Sequence, residues 1–248
     1  MIDTHAHLDA LEDPPSDVLD RARAAGITRV VTIGTGIESS RTALELAEAN
    51  DGVFAALGIH PHGASGADAR RVPELRALFA DGRAVAVGET GLDHYREYAP
   101  HDAQLRLFEE HLDLAAEVEL PVVIHSRAAG IETAAALAGF PGTVILHCFS
   151  EPEQLPVALE RAYYVSFAGN LTYGNAGALR RAAAEVPLDR VLVETDCPYL
   201  APQPVRGRPN EPAHVTHTLD VLAAVRGVAA EELAAQIDLN ATTAFGLP

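Results

Sequence analysis

Seven side chains that can bind a metal ion or carry a proton recur at equivalent places along the chain. They are His5 and His7 in "DTHAH", His60 in "LGIH", Glu89 in "VGET", His125 in "VVIHS", His147 in "VILHC" and Asp196 in "VETD". Each one ends a short apolar run. Taken alone, His5 and His7 fit two readings equally: polar groups on a solvated strand edge, since alternate residues share a face, or the first half of a ligand pair. The other five favour ligation. An ionised group buried without a partner costs several kcal/mol, and coordination satisfies many such groups at once. Imidazole and carboxylate suit Zn²⁺ or Mn²⁺, with Mg²⁺ where carboxylate and water dominate. His5, His7, Glu89, His125, His147 and Asp196 are enough for two divalent ions. Glu89, mid-sequence among them, is the natural bridging carboxylate.

The elements that must position these groups repeat one phrase: an apolar β-rich run, a loop, an amphipathic helix. Strands are expected at "IDTHAH", "ITRVVTIG", "VFAALGIH", "AVAVGETG", "PVVIHS", "TVILHCF", "YYVSFAG" and "RVLVETD". Helices are expected at 16–25, 39–50, 73–80, 102–118, 152–161 and 176–185, with further helical stretches in "AHVTHTLDVLAAV" and "AAEELAAQIDLNATTAFG". Eight strands alternating with helices imply an α/β fold, a TIM-type (β/α)8 barrel with a C-terminal helical extension, in one domain over 1–248. A doubly wound open sheet is the second possibility. In a barrel the C-terminal strand ends converge on one mouth, where the active site is built. Strict alternation along each strand places Glu89 above Val87 and Val85, His125 above Val123 and His147 above Ile145. It turns Cys148 and Cys197 away as packed thiols. The proline-rich "CPYLAPQPVRGRPNEP" is a long loop at the same end, where function concentrates.

The composition excludes several chemistries. All 18 basic residues are arginine. Without lysine there is no Schiff-base catalysis, no lysine base and no carbamylated lysine between two metals. A net charge of -17 argues against a protein that coats nucleic acid, because non-specific phosphate binding rests on Lys and Arg; bound cations would reverse the field locally. No apolar run approaches membrane-span length and no signal peptide is indicated, so a cytoplasmic protein without membrane or obligate protein partners is expected. Two cysteines allow at most one disulfide, which is no scaffold.

The stretches "DTHAHLD", "GIHPH", "GETGLDHY", "LPVVIHSR", "ILHCFS", "ETDCPYLAP" and "RGRPNEP", in this order across nearly the whole chain, closely resemble the TatD family of metal-dependent DNases, amidohydrolase-like barrels. The resemblance implies one metal held by His5, His7, Glu89 and Asp196 and a second by Glu89, His125 and His147. It also implies hydrolysis of nucleic-acid phosphodiesters, typically from a 3′ end. The catalytic candidates are then Asp196, as ligand and proton acceptor for water, Glu89, and His60, as phosphate contact or proton donor unless it only packs. Arg127, Arg206 and Tyr95 are candidates to hold the DNA substrate. Asn210 and Glu211 are expected to fix their loop, and Glu194 to accept a hydrogen bond from a ligand histidine. His62, His94 and His101 are expected on the rim, and His111, His214 and His217 in structural roles. The chain departs from the family pattern at Glu151, where glycine is common, at Tyr173-Gly174-Asn175, where a lysine is common, and in a last helix without its usual arginine. A hydrolase acting on a nucleotide or aminoacyl-tRNA ester and a noncatalytic nucleic-acid-binding barrel are the alternatives.

Overall fold

The computed structural model describes residues 1–248, the side chain of Asp81 excepted. Short runs of branched apolar residues form eight strands: β1 (Ile2–Ala6), β2 (Arg29–Ile33), β3 (Val53–Leu57), β4 (Ala84–Asp93), β5 (Val122–Arg127), β6 (Val144–Leu146), β7 (Tyr164–Phe167) and β8 (Val191–Val193). They make one sheet in sequence order, β1 to β8. The β1–β2, β3–β4, β4–β5, β5–β6 and β7–β8 pairs are parallel. Strands such as Val191–Val193 are buried at every residue, as expected of parallel strands covered on both faces. The intervening helices are α1 (Pro15–Ala24), α2 (Ile37–Ala49), α3 (Val72–Leu78), α4 (His101–Val118), α5 (Gly130–Ala136), α6 (Leu155–Glu160), α7 (Gly177–Glu185), α8 (Val215–Arg226) and α9 (Ala230–Phe245). This is the (β/α)8 barrel order with a helical extension.

The chain divides into two compact units, Met1–Thr32 with Cys148–Pro248, and Ile33–His147. In the first, a parallel bridge between Ala6 and Cys197 joins the end of β1 to the segment after β8. Helices α8 and α9 end at Gly227 and Gly246, both left-handed, the C-terminal signature of glycine. The second unit holds β3 to β6 with α2 to α5. Its long helix α4 buries Ala103, Leu107, Phe108, Leu112, Leu114 and Ala115, a stripe at helical spacing. Each large apolar side chain buried there contributes about 1.5–3 kcal/mol.

Three expectations are corrected. The strands predicted to run through His60, His147 and Asp196 stop at Leu57, Leu146 and Val193, so these residues stand on the loops that follow. Alternation also fails at Glu89. The β4–β5 register slips between Val87 and Thr90, so the Val87 column does not extend to Glu89. Finally, α5 in "GIETAAA" is absent from the expected helices; it is short, alanine-rich and lacks a capping side chain.

Candidate metal centre

In the first unit, β1 presents His5 and leads into His7, while the turn after β8 presents Asp196. Backbone bonds brace the two segments: Asp196 N–H donates to His5 O (2.9 Å) and His7 N–H to Cys197 O (2.8 Å). Asp3 ties them more deeply. Its Oδ1 accepts from Thr195 N (2.9 Å) and His5 N (3.3 Å), and its Oδ2 from the Thr195 hydroxyl (2.5 Å). Burial pushes the Asp3 carboxyl up to about 7 against the pull of these bonds. Asp196 has a left-handed backbone, φ 54°, a conformation aspartate tolerates better than most residues. Asn210 secures that turn by donating to Thr195 O (3.0 Å) and Tyr199 O (2.5 Å). Glu211 pairs with Arg21 of α1. Both therefore fix the loop, as expected.

The outcome is a triangle of donor atoms. His5 Nε2 and His7 Nε2 are 3.3 Å apart, and Asp196 Oδ1 lies 3.7 Å and 3.4 Å from them. Ligand–metal bonds of about 2.0–2.1 Å in tetrahedral geometry place neighbouring ligand atoms about 3.4 Å apart. The two imidazoles and one carboxylate thus fit a divalent ion in spacing and in donor chemistry. His5 is fully buried and His7 nearly so, while the Asp196 side chain remains 13% exposed, open enough to meet a water molecule.

In the second unit, Glu89 gathers three histidines. Its Oε1 lies 2.9 Å from His125 Nδ1, 3.0 Å from His147 Nε2 and 3.4 Å from His60 Nε2. Glycines make this possible: a Cβ on Gly88 or Gly91 would collide with the Val123 or His125 carbonyl, and both have positive φ. The Gly88–Glu89 peptide is cis. Burial raises the Glu89 carboxyl, but His60, His147 and His125 outweigh it and hold the group well below the usual range. Donor atoms of His60, Glu89 and His125 all lie within 4.8 Å of one another.

His60 is held in a defined form. Its Nδ1 accepts from His62 N–H (3.1 Å), so the neutral ring carries its proton on Nε2, facing Glu89. Burial pushes its pKa down to about 4, against the attraction of Glu89. That neutral Nε2–H is a donor.

One residue escaped sequence reasoning. Asp93, at the end of β4 and fully buried, places Oδ2 at 2.9 Å from His62 Nε2 and 3.2 Å from His125 Nε2. Burial would raise its carboxyl, but His125, the Arg96 amide and His62 hold it far below the usual range. The available signal was its place four residues beyond Glu89 in "GETGLDHY". His62, expected on the rim, thereby has a partner in the cluster. His94 and His101 stack on each other (3.6 Å), and His111 is a buried structural residue.

The candidate substrate contacts stand on tyrosines. Arg127, last in β5, lies 4.1 Å over the ring of Tyr95, which is 63% exposed. Arg206 lies 4.0 Å over Tyr173, whose hydroxyl donates to Ala201 O (3.2 Å). Tyr173, one of the departures from the family pattern, thus supports an arginine. Glu194 accepts from Cys148 N–H (2.8 Å), steadying the backbone beside His147. Cys197 is buried, Cys148 half-buried, and both are free thiols.

A (β/α)8 fold with imidazole and carboxylate clusters at and just beyond its strand ends fits a metal-dependent hydrolase, and the relatives of the chain place it in that class. The family described as TatD related DNase matches residues 2–246, and the chain belongs to it. It is 39% identical over 261 residues to an uncharacterized metal-dependent hydrolase TatD of Mycobacterium tuberculosis, covering 100% of this chain and 98% of that protein. Identity is also 39% over 241 residues to a protein of Pantoea vagans named 3′-5′ ssDNA/RNA exonuclease TatD, covering 93% and 92%. The crystal structure of YjjV, a TatD homolog from Escherichia coli K12, superposes with a TM-score of 0.94 at 32% identity, covering 100% and 98%. Among the described residues no helix is long and apolar enough to cross a membrane.

Proposed function

We propose that this hydrolase is a 3′-5′ exonuclease on single-stranded DNA that uses two divalent ions, Zn²⁺, Mn²⁺ or Mg²⁺. His5, His7, Glu89 and Asp196 would hold one, and Glu89, His125 and His147 the other. The observation that carries the reading is the His5–His7–Asp196 triangle, whose 3.3–3.7 Å edges match a ligand set. The convergence of His125 and His147 on Glu89 Oε1 supports the second ion. The arginine–tyrosine stacks and the name of the Pantoea relative support the substrate class. When bound, such ions supply positive charge to the phosphodiester oxygens and lower the pKa of water.

The chain's own residues supply the remainder. Asp196, partly open, accepts the proton of the attacking water. His60 offers Nε2–H to a phosphate oxygen or to the leaving oxygen. Arg127 and Arg206, aligned by their tyrosine rings, bind phosphate, and the exposed Tyr95 ring stacks on a base. Residues 1–248 act as one hydrolase domain, in keeping with a family match that runs through both units. A cytoplasmic setting accords with the two free thiols.

A 5′-labelled single strand incubated with metal-loaded protein should shorten stepwise from its 3′ end, and Asp196→Asn and Glu89→Gln should abolish the ladder. An intact oligonucleotide beside hydrolysis of a nucleotide or aminoacyl ester would refute the nuclease reading and leave the metal centre standing.

A further inference from the structure

We propose that Asp93 is a positioning residue that keeps a proton on Nε2 of His125, so that Nδ1 is the nitrogen presented to the ion beside Glu89. The inference rests on the reading of His125 as a ligand and adds which of its atoms ligates and what selects it.

The carboxylate is anchored before it meets any histidine. Gln104 of α4 brackets the Asp93 backbone: Asp93 N–H donates to Gln104 Oε1 (2.7 Å), and Gln104 Nε2 donates back to Asp93 O (3.1 Å) and to Ala99 O (2.9 Å). Asp93 Oδ1 accepts two backbone amides, from Tyr95 (2.9 Å) and Arg96 (2.8 Å). Only Oδ2 is left to turn inward, towards His125 Nε2 at 3.2 Å and His62 Nε2 at 2.9 Å.

A carboxylate oxygen accepts; it does not donate. Each facing imidazole nitrogen must therefore bring a proton. The same rule holds at Nδ1, 2.9 Å from Glu89 Oε1, so without an ion both ring nitrogens carry protons. An ion seated beside Glu89 takes the place of the Nδ1 proton, while Asp93 retains the one on Nε2. The same carboxylate fixes His62, whose own N–H occupies His60 Nδ1. One buried oxygen thus orients two rings, while His60 is held separately by the His62 backbone amide. Partners of this kind set the tautomer and direction of a metal-binding histidine.

Asp93→Asn is the informative change. Its Oδ1 can still accept from Tyr95 and Arg96, so the turn survives, but an amide nitrogen now stands where Oδ2 stood. That nitrogen donates, Nε2 must become the acceptor, and the proton moves to Nδ1, where it blocks the ion. The test is ring-nitrogen NMR of ¹⁵N-histidine protein titrated with Zn²⁺, the His125 signals being assigned with His125→Gln. In the unaltered chain Nε2 should keep its proton while Nδ1 shifts on zinc binding. In Asp93→Asn, zinc affinity at His125 should fall about 10–100-fold, while the response of His5 and His7 is unchanged. Loss of the Nε2 proton on zinc binding, or unchanged affinity in Asp93→Asn, overturns the proposal. If zinc moves neither nitrogen of His125, the two-ion reading fails instead. Metal-free Glu89→Gln at alkaline pH, in which Asp93 is the one carboxylate facing the His125 ring, then decides: an Nε2–H tautomer supports Asp93, and an Nδ1–H tautomer overturns it.

Discussion

His111 makes the stability of this protein depend on pH in a window that the structure defines. It lies fully buried on α4. Its Nδ1 faces Leu107 O at 2.7 Å, and its Nε2 accepts from Ile59 N–H at 3.0 Å. A carbonyl only accepts, so Nδ1 carries the proton and Nε2 the lone pair. Protonation would set a second N–H against that of Ile59. Burial accordingly pushes the group down to about 4, opposed only by the Leu107 carbonyl, from about 6.5 in an unfolded chain. Between these values the unfolded state binds more protons, so stability is complete above the unfolded value and is lost as pH falls towards the folded one. At about 1.4 kcal/mol per unit, integration from pH 7.5 to 5 gives a loss of about 2 kcal/mol from this residue. His111→Gln removes the titration. The stability gap between the unaltered protein and the variant, measured by urea unfolding in chelator, should therefore narrow by about 2 kcal/mol over that range. Parallel stability curves for the two proteins would refute the reasoning. The bond also matters to the site, since Ile59 precedes His60 and its amide is held by α4.

Phe108→Ala, in the same buried stripe, should cost about 3–5 kcal/mol, read as a lower urea midpoint at unchanged slope. Gly91→Ala should cost at least about 2 kcal/mol and weaken divalent-ion binding by calorimetry, because its Cβ would collide with the carbonyl of His125. Tyr173→Ala removes the ring beneath Arg206 and should raise KM for an oligonucleotide about 2–30-fold with little change in kcat, the equivalent of a cation–π contact of about 0.5–2 kcal/mol. Oligonucleotide binding should require divalent metal, and its residual affinity without metal should vary little with monovalent salt; a steep slope would contradict this.

The alternation of short apolar runs with helical stripes made the (β/α)8 order legible, because strand and helix periodicities are local. The ligand types were legible too, since five of the seven side chains follow runs such as "VVI" and "VIL" that could only be buried strands. The backbone at the strand ends was not. Cys148 and Asp196 adopt left-handed conformations, φ 46° and 54°, and the β4–β5 register slips beside Glu89. Alternation arguments stop where hydrogen-bonded pairing stops. Asp93 was missed for a related reason. Its value to the site comes from His62 and His125, which lie 31 and 32 residues away in sequence and become neighbours only after β3, β4 and β5 are in place.

The placement of the arginines bears on how an acidic chain would hold the proposed polyanionic substrate. Carboxylates engage Arg21, Arg23, Arg29, Arg41, Arg71 and Arg106 on the helices and loops. A guanidinium held in that way has little left for phosphate, so the surface repels nucleic acid at -17 net charge. Arg127 and Arg206 are placed differently: each rests on a tyrosine ring, which orients the guanidinium without neutralising it. One ends β5, two residues beyond His125, and the other sits on the loop after Asp196. These two guanidiniums therefore keep their charge near the proposed ligands His125 and Asp196.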